Sequence, residues 1–168
     1  SSTDKGIMRH NMLSGLSILR LHEMEARYAS YIDFSDEIRR WFDQPTATLH
    51  EMYRRLVFNV LIGNTDDHAR NHSAFWDGQS LSLTPVYDIC PQARAGQEAS
   101  QAMDIGEEGK LSTLSNVLSC CASFRLAPEE ASVLIEAIIA KIESQWKKVC
   151  DEADMGVAER DRSWGSAV

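Results

Sequence analysis

The residues of this chain whose types suit chemistry are concentrated in one short stretch. Acids, an imidazole and two amides follow one another between Asn64 and Asn71, directly after a strongly apolar segment. Asp66 stands five positions before Asn71, with His68 between them, and a further acid, Asp88, follows later. A carboxylate can orient a hydroxyl and remove its proton, while amide and carboxylate oxygens are ligands that Mg²⁺ accepts. Together these residues indicate transfer of a phosphoryl group to a hydroxyl.

The spacing suggests a separate role for each residue. An Asp and an Asn five positions apart also occur in the kinase catalytic loop H-R-D-x-x-x-x-N, where the Asp is the base and the Asn holds a metal ion. We therefore predict that Asp66 is the catalytic base and that Asn71 and Asp88 are ligands of the Mg²⁺ that accompanies ATP. His68 either activates the reacting group or braces the loop by bonding to a carbonyl or to Asp88.

The same residues also have plain structural interpretations. Asp and Asn are frequent in any loop that follows a helix, because their side chains bond to nearby backbone, and the D-x-x-x-x-N spacing alone is a weak signal. Asp67 is expected to be a solvated turn residue. Arg70 either neutralises phosphate charge or forms an ordinary surface ion pair. The remaining histidines lack partners at suitable spacing and are expected to be structural: His10, His22, His50 and His72.

A buried helix is predicted to deliver the chain into this loop. Thr48 and Glu51 have the spacing of a capping box at a helix start, and the last two turns of the helix are apolar on nearly all sides. Gly63 then stands where a left-handed C-terminal cap is expected. After the loop, residues 73–83 have the pattern of a hairpin around an Asp-Gly turn. This hairpin would return the chain toward Asp88.

The rest of the chain is predicted to be helical toward both ends. Ser35 resembles an N-cap of a helix that Pro45 stops, and a further helix is expected over residues 112–124. The longest helix is predicted to start at Pro128, a favoured first-turn residue, and to end near Ala153. Residues 92–110 are expected to form a loop with one more short strand. The predicted fold class is mostly α with a small central β-hairpin.

Composition narrows the possible functions further. The 168 residues include 17 Lys and Arg against 25 Asp and Glu, a net charge of −8, which argues against a surface that binds nucleic acid directly. The hydrophobic fraction of 43% is that of an ordinary globular protein, and a chain of 168 residues is long enough to form one domain with its own core. No apolar run is long enough for a membrane span. The 4 cysteines form no C-x-x-C pair, and together with the missing secretory signal this suggests a cytoplasmic protein.

Two stretches of the sequence resemble the C-terminal lobe of HipA-type toxin kinases. The first runs from Asn59 to His72 and the second from Leu83 to Pro91, and a weaker likeness covers Met12 to Leu19 and the late helix near Trp146. The D-x-H-x-x-N pattern is shared with phosphoinositide kinases as well. The resemblance implies a helical kinase lobe over residues 1–168, with Asp66 as the base and with Asn71 and Asp88 as the magnesium ligands.

The resemblance also implies an activity and partners. It points to an ATP- and magnesium-dependent serine/threonine protein kinase of a toxin–antitoxin system. Members of that family phosphorylate an aminoacyl-tRNA synthetase, classically the glutamyl enzyme, and are held by a DNA-binding HipB-type antitoxin, so contact with DNA would be indirect. Their N-terminal lobe carries the phosphate-binding loop, the ATP lysine and a regulatory serine. No G-x-G-x-x-G, G-x-x-x-x-G-K-[ST] or V-A-I-K sequence occurs in these 168 residues. We therefore expect a C-lobe of a longer kinase, with negligible activity alone.

Two other functions remain open from the sequence. One is a non-catalytic split subunit or scaffold that binds an antitoxin or another protein. The other is a metal-dependent phosphohydrolase that uses Asp66, His68 and Asp88 around a tightly bound transition metal.

Overall fold

Helices dominate the structure, a computed structural model that describes residues 11–90, 99–152 and 156. The strands are β1 (Asn11–Ser14), β2 (Ser73–Trp76) and β3 (Leu81–Leu83). The α-helices are α1 (Gly15–Ile18), α2 (Tyr31–Trp41), α3 (Pro45–Leu61), α4 (Leu114–Ser119) and α5 (Pro128–Glu152), and short 3-10 helices lie at Glu23–Tyr28, Ala69–Asn71 and Cys121–Phe124. The prediction of a mostly helical chain with a small central β element is confirmed.

Helix α3 is the centre of the core. It packs against α2, α4 and α5, and its side chains are buried from its first to its last turn. The apolar end of the helix, around Val57, Val60 and Leu61, is almost completely enclosed, as predicted. Gly63 has φ +70, a left-handed conformation that glycine adopts without steric cost. The predicted C-terminal stop of α3 is therefore confirmed, and the loop after it starts from a buried part of the core.

The predicted starts of α2 and α3 are wrong. Helix α2 begins at Tyr31, where the Ser30 hydroxyl accepts hydrogen bonds from backbone N–H groups of the first turn. Ser35 lies buried inside the helix. Helix α3 begins at Pro45 rather than at Thr48. Proline fits the first helical position because its missing N–H would have no partner there, so this proline starts one helix rather than stopping the other.

The sheet has three antiparallel strands in the order β1-β2-β3. Strands β2 and β3 form the predicted hairpin, and the Asp77 carboxylate caps its turn by accepting hydrogen bonds of 2.8 Å from two backbone N–H groups. Gly78 supplies the positive φ of +104 that the turn needs. Strand β1 was not predicted, and it pairs with β2 so that Leu13 lies opposite Ala74. This pairing carries the beginning of α1 to the polar loop.

The later part of the chain agrees in outline with the prediction. Residues 112–124 form α4 and a 3-10 turn rather than one continuous helix, and α5 begins at Pro128 as expected. Part of the predicted loop, residues 91–98, lies outside the described residues. From residue 99 to residue 111 the structure has isolated bridges, Ser100 with Leu111 and Gly106 with Gly109, in place of a further strand. Of the residues described, none belongs to a helix long and apolar enough to cross a bilayer.

Candidate active site

The polar loop starts from a fixed point at the end of α3. The backbone N–H of Asn64 donates to the carbonyl of Asn59 at 2.9 Å, and the two side-chain amides are joined by a second hydrogen bond of 3.0 Å. Both residues are almost fully buried. Amides can provide a donor and an acceptor at once, which suits a helix end that has unpaired carbonyls. These two hydrogen bonds therefore fix the backbone that leads from α3 to Asp66.

The structure brings Asp66 and Asn71 together. The side-chain amide of Asn71 donates to the backbone carbonyl of Asp66 at 3.0 Å, and the backbone N–H of His68 donates to the same carbonyl at 2.9 Å. Asn71 is buried, whereas Asp66 is exposed. Because the nitrogen of the Asn71 side chain is engaged, its oxygen is the atom that could bind a metal ion. The loop thus presents one accessible carboxylate beside one anchored amide oxygen.

Asp67 is buried, so the prediction of a solvated turn residue is wrong. Only 1% of its surface is exposed, and its two oxygens accept hydrogen bonds from the Tyr31 hydroxyl and, at 2.9 Å, from Nε2 of His72. His72 was predicted to be structural without a partner, and here it pairs with an acid. Sequence spacing carried no signal of this, because Tyr31 precedes Asp67 by 36 residues.

Burial controls the ionisation of Tyr31. Desolvation raises its pKa well above the ordinary value, and the charge of Asp67 and the hydrogen bond with Asp67 raise the pKa further. A hydrogen bond with Asn59 and the charge of Arg55 act in the opposite direction. The hydroxyl therefore stays protonated at neutral pH and is the donor to the carboxylate, which can only accept.

A tyrosine ties the Asp88 segment to the loop. The Tyr87 hydroxyl donates to the backbone carbonyl of Arg70 at 2.6 Å and lies 2.6 Å from the Ser73 hydroxyl. Tyr87 immediately precedes Asp88, and Arg70 immediately precedes Asn71. The contact therefore joins the neighbours of the two predicted metal ligands. Asp88 itself is exposed and has φ +57, a left-handed conformation that Asp tolerates better than most residues.

A buried arginine holds the start of the same segment. Nη2 of Arg55, in α3, donates to the backbone carbonyl of Thr84 at 2.8 Å, while its Nε donates to Glu51 at 3.0 Å. The Arg55 side chain is only 7% exposed. The segment from Thr84 to Asp88 is thus fastened to the core at one end by Arg55 and near the other end by Tyr87.

The first turn of α1 supports the loop from the opposite end of the sequence. The backbone N–H of Gly15 donates to the carbonyl of His72 at 2.6 Å. A Cβ atom on Gly15 would lie 2.3 Å from the carbonyl oxygen of Ala69 and 2.9 Å from the ring of Phe34. Only glycine allows so close an approach of two backbones. The weak likeness over Met12 to Leu19 was the one sequence signal for this contact.

His68 and Arg70 take less central positions. His68 is half-buried, and its Nδ1 has no hydrogen-bond partner, so that nitrogen makes none of the predicted bracing bonds. Arg70 pairs with Glu23 on the surface, which is the ordinary ion pair that one of its two interpretations predicted. Over the described ranges there is no group of three or more His, Cys, Asp and Glu side chains that could hold a metal ion. The set of Asp66, His68 and Asp88 that a transition-metal hydrolase would need is not assembled.

The predicted magnesium ligands are chemically suitable. Asn71 and Asp88 offer an amide oxygen and a carboxylate, both hard donors, and Mg²⁺ is usually bound by one or two protein ligands while the phosphates of a substrate and water complete its shell. A pair of oxygens is therefore enough, provided that a triphosphate is present. These two residues suit Mg²⁺ because both offer oxygen ligands and both are held in place. Asn71 is held by its hydrogen bond to the Asp66 carbonyl, and the Asp88 segment is held by Tyr87.

Sequence comparison identifies a protein family and individual proteins to which this chain is similar. The family model for the HipA-like C-terminal domain matches residues 3–146. The "Putative kinase Y4mE" of Sinorhizobium fredii is 28% identical over 96 residues, which are 54% of this chain and 23% of that protein. The "Serine/threonine-protein kinase toxin HipA" of Shewanella oneidensis is 38% identical over 45 residues, 27% of this chain and 10% of that protein.

A solved structure has the same fold. HipA of Shewanella oneidensis, in a complex with HipB and its operator DNA, superposes with a TM-score of 0.76 at 17% identity. The match covers 99% of this chain and 46% of the solved chain. The chain therefore spans about half the length of the solved protein, and the segments matched in the two relatives above are a quarter of those proteins or less.

Proposed function

This chain belongs to the HipA-like C-terminal domain family, and we propose that it is the catalytic helical lobe of a HipA-like serine/threonine protein kinase. The proposed reaction moves the γ-phosphoryl group of ATP to a hydroxyl of a protein. Kinase names among the relatives support the proposal. The observation that carries it is the loop after α3, in which the Asn71 side-chain amide donates to the backbone carbonyl of Asp66 while Asp66 itself is exposed.

Asp66 is the proposed base. The Asp66 side chain is exposed. The backbone at Asp66 is fixed because its carbonyl accepts two hydrogen bonds, from the Asn71 side-chain amide and from the His68 N–H. A base held in this way can orient the acceptor hydroxyl and take its proton as the new bond to phosphorus forms. His68, with Nδ1 buried and unpaired, is proposed to help orient the acceptor or the loop.

Asn71 and Asp88 are the proposed ligands of Mg²⁺. When bound, the ion supplies positive charge that neutralises the triphosphate, which matters in a chain of net charge −8. The contribution of the protein is to hold the two oxygens. The Asn71 amide is anchored by the Asp66 carbonyl, and the Asp88 segment is anchored by the Tyr87 hydroxyl. Cations that bind the phosphates are proposed to come from a nucleotide-binding lobe outside these residues.

The partners are proposed from the relatives. The solved HipA of Shewanella oneidensis is held in a complex with HipB and operator DNA, which supports a HipB-like antitoxin as a partner of this protein. Contact with DNA would then pass through the antitoxin, as the acidic net charge favours. An aminoacyl-tRNA synthetase is the proposed protein substrate, and the cytoplasm is the proposed compartment.

The proposal is tested by phosphoryl transfer in the full-length protein. With radiolabelled ATP, Mg²⁺ and a panel of aminoacyl-tRNA synthetases, the protein should label itself or one synthetase. Asp66→Asn should lower kcat by about 100- to 10,000-fold, the usual contribution of a general base. Asp43→Asn, which changes an exposed aspartate between α2 and α3, is the matched control and should leave the rate unchanged.

Metal binding gives a second readout that needs no turnover. Mn²⁺, followed by electron paramagnetic resonance in the presence of ATP, should bind the wild-type full-length protein more tightly than Asp88→Asn by about 10-fold or more.

Labelling by Asp66→Asn at the wild-type rate would remove the base assignment. Equal Mn²⁺ affinity of wild type and Asp88→Asn would remove the ligand assignment, and a full-length protein that labels nothing would favour a binding subunit.

A further inference from the structure

Three buried polar side chains behind the loop have no role in the chemistry described so far. Tyr31, Asp67 and His72, which we call the Asp67 cluster, are each exposed by 2% or less. Asp67 accepts from the Tyr31 hydroxyl on one oxygen and from His72 Nε2, at 2.9 Å, on the other. The rings of Tyr31 and Phe34 stand edge-on to the His72 imidazole, with centroids 5.8 and 6.0 Å away. The cluster is enclosed on all of these sides.

The position of the cluster in the chain gives it a special relation to the site. Asp67 directly follows Asp66, and His72 directly follows Asn71. The bond between Asp67 and His72 and the bond from Asn71 to the Asp66 carbonyl therefore close the loop at two adjacent pairs of positions. With both bonds in place, the base and the metal ligand cannot move apart without breaking one of them.

The energetics favour a role in orientation over one in stability. Removing a carboxylate and an imidazole from water is unfavourable, and apolar replacements of buried pairs are often as stable or more stable. What such a pair does well is to select one arrangement, because each oxygen of Asp67 accepts from a different donor, the Tyr31 hydroxyl on one side and His72 Nε2 on the other. Asp67 points inward between its two donors, which leaves Asp66, its neighbour, exposed.

We propose that Tyr31, Asp67 and His72 are positioning residues, which hold Asp66 and Asn71 at the mutual orientation that phosphoryl transfer needs. The inference rests on the proposed kinase function for its consequence in catalysis. Its structural part, that the cluster holds the loop in one conformation, does not depend on that function.

Two tyrosines allow a matched experiment. Tyr31→Phe removes the hydroxyl that donates to Asp67, and Tyr53→Phe removes a hydroxyl that is equally buried but donates to the carbonyl of Val117 at 3.1 Å, away from the loop. Both variants remove the hydrogen bonding of a buried hydroxyl, so both should lower the melting temperature. In the full-length protein, only Tyr31→Phe should lower kcat, by about 10-fold or more, with the KM for ATP unchanged.

Amide hydrogen exchange supplies a readout without turnover. On the full-length protein, Tyr31→Phe should speed exchange of the amides of residues 64–72 by about 2- to 10-fold, the effect of one lost hydrogen bond on local opening, and Tyr53→Phe should not. Equal effects of the two variants on exchange and on kcat would overturn the proposal. A wild type without transfer would refute the kinase function alone, and the exchange data would still decide whether the cluster holds the loop.

Two replacements of His72 distinguish the effect of its hydrogen bond to Asp67 from the effect of the space that its side chain fills. His72→Gln keeps an N–H donor within reach of the Asp67 carboxylate, whereas His72→Leu fills similar space without a donor. The glutamine variant should retain most of the wild-type kcat and the leucine variant should lose it, even where their melting temperatures are alike. A leucine variant as active as the glutamine variant would show that His72 acts only by filling space.

Discussion

Gly15→Ala is the sharpest test of how the loop is supported. Gly15 is the first residue of α1, and its Cβ would come 2.3 Å from the Ala69 carbonyl oxygen and 2.9 Å from a ring carbon of Phe34. Real Cβ atoms do not approach a backbone oxygen so closely, so α1 or the loop must move. The backbone N–H of Gly15 bonds to the His72 carbonyl at 2.6 Å, and this bond would lengthen with the movement.

The expected magnitude follows from two opposing contributions. Overpacking of a close contact typically costs about 1–3 kcal/mol, and the backbone oxygen cannot rotate away as a side chain could. Alanine has a higher helix propensity than glycine, which returns about 0.5–1 kcal/mol, less in a helix of only 4 residues. A net loss of about 1–2 kcal/mol in the free energy of unfolding corresponds to a melting temperature lower by about 2–8 °C.

Thermal unfolding followed by circular dichroism is the assay, with Gly106→Ala as the control. At Gly106 a Cβ would meet the Ser119 hydroxyl at 2.2 Å and the Asn116 carbonyl at 2.7 Å, so this variant should also lose stability, with the overlap falling on α4 and not on residues 64–72. Hydrogen exchange should then differ, because only Gly15→Ala should speed exchange in residues 64–72. A Gly15→Ala variant that melts at or above the wild-type temperature would refute the close approach of the two backbones.

Three further predictions concern other parts of the structure. Arg55→Leu should lower the free energy of unfolding by about 1–3 kcal/mol in urea denaturation, because the buried Thr84 carbonyl loses its donor. Burial raises the pKa of the Cys120 thiol to about 12, so iodoacetamide at pH 8 should alkylate exposed Cys90 and spare Cys120, as peptide mass spectrometry would show. Hydrogen bonds from the backbone N–H groups of Ser80 and Gln79 lower the pKa of Asp77. The hairpin turn should therefore be intact above pH 3.8, the ordinary pKa of Asp, and should open as the pH falls through the lowered pKa. NMR of the turn residues would measure this.

Each of these has a result that would contradict it. Arg40→Leu, on the exposed side of α2, is the control for Arg55 and should cost little, so equal losses would place Arg55 outside the core. Alkylation of native Cys120 as fast as of Cys90 would refute its burial. For Asp77, the sign follows from linkage: a group whose pKa is lower in the folded state stabilises at high pH and loses that contribution in acid. An Asp77→Asn turn with the same acid transition would exclude the carboxylate as its cause.

The parts of the fold predicted from the sequence are those determined by nearby residues. The end of α3 at Gly63, the Asp-Gly turn of the hairpin and the start of α5 at Pro128 each depend on a few neighbours in the chain. The pairing of β1 with β2 joins Leu13 to Ala74, and no local pattern specifies a partner so distant. For α2, Ser30 and Ser35 are both acceptable N-caps locally, and packing of Tyr31 into the core decides between them.

For the candidate site as well, the sequence predicted what nearby residues determine and missed the contacts between distant residues. Residue types and spacing singled out Asp66 and Asn71, which the structure joins, and the catalytic and metal-binding roles of Asp66, His68, Asn71 and Asp88 stay predictions. The spacing to Asn71 selected Asp66 over Asp67, but the sequence could not predict that Asp67 is buried, because adjacent loop residues have no periodicity that assigns one to solvent and the other to the core. The Tyr31 hydroxyl and the His72 imidazole, which both donate to Asp67, explain why Asp67 is the buried member of the pair.

The positions of Gly15, Tyr31 and Tyr87 in the sequence, three residues that hold the loop, have a consequence for synthesis of the chain on the ribosome. Gly15 and Tyr31 precede the loop, but Tyr87, whose hydroxyl bonds to the Arg70 carbonyl, is made after it. A nascent chain that has exposed residues only as far as the hairpin can bury α2 against α3, yet it still lacks the last tie. The order of translation therefore delays the final fixing of the loop until the segment carrying Tyr87 and Asp88 has emerged.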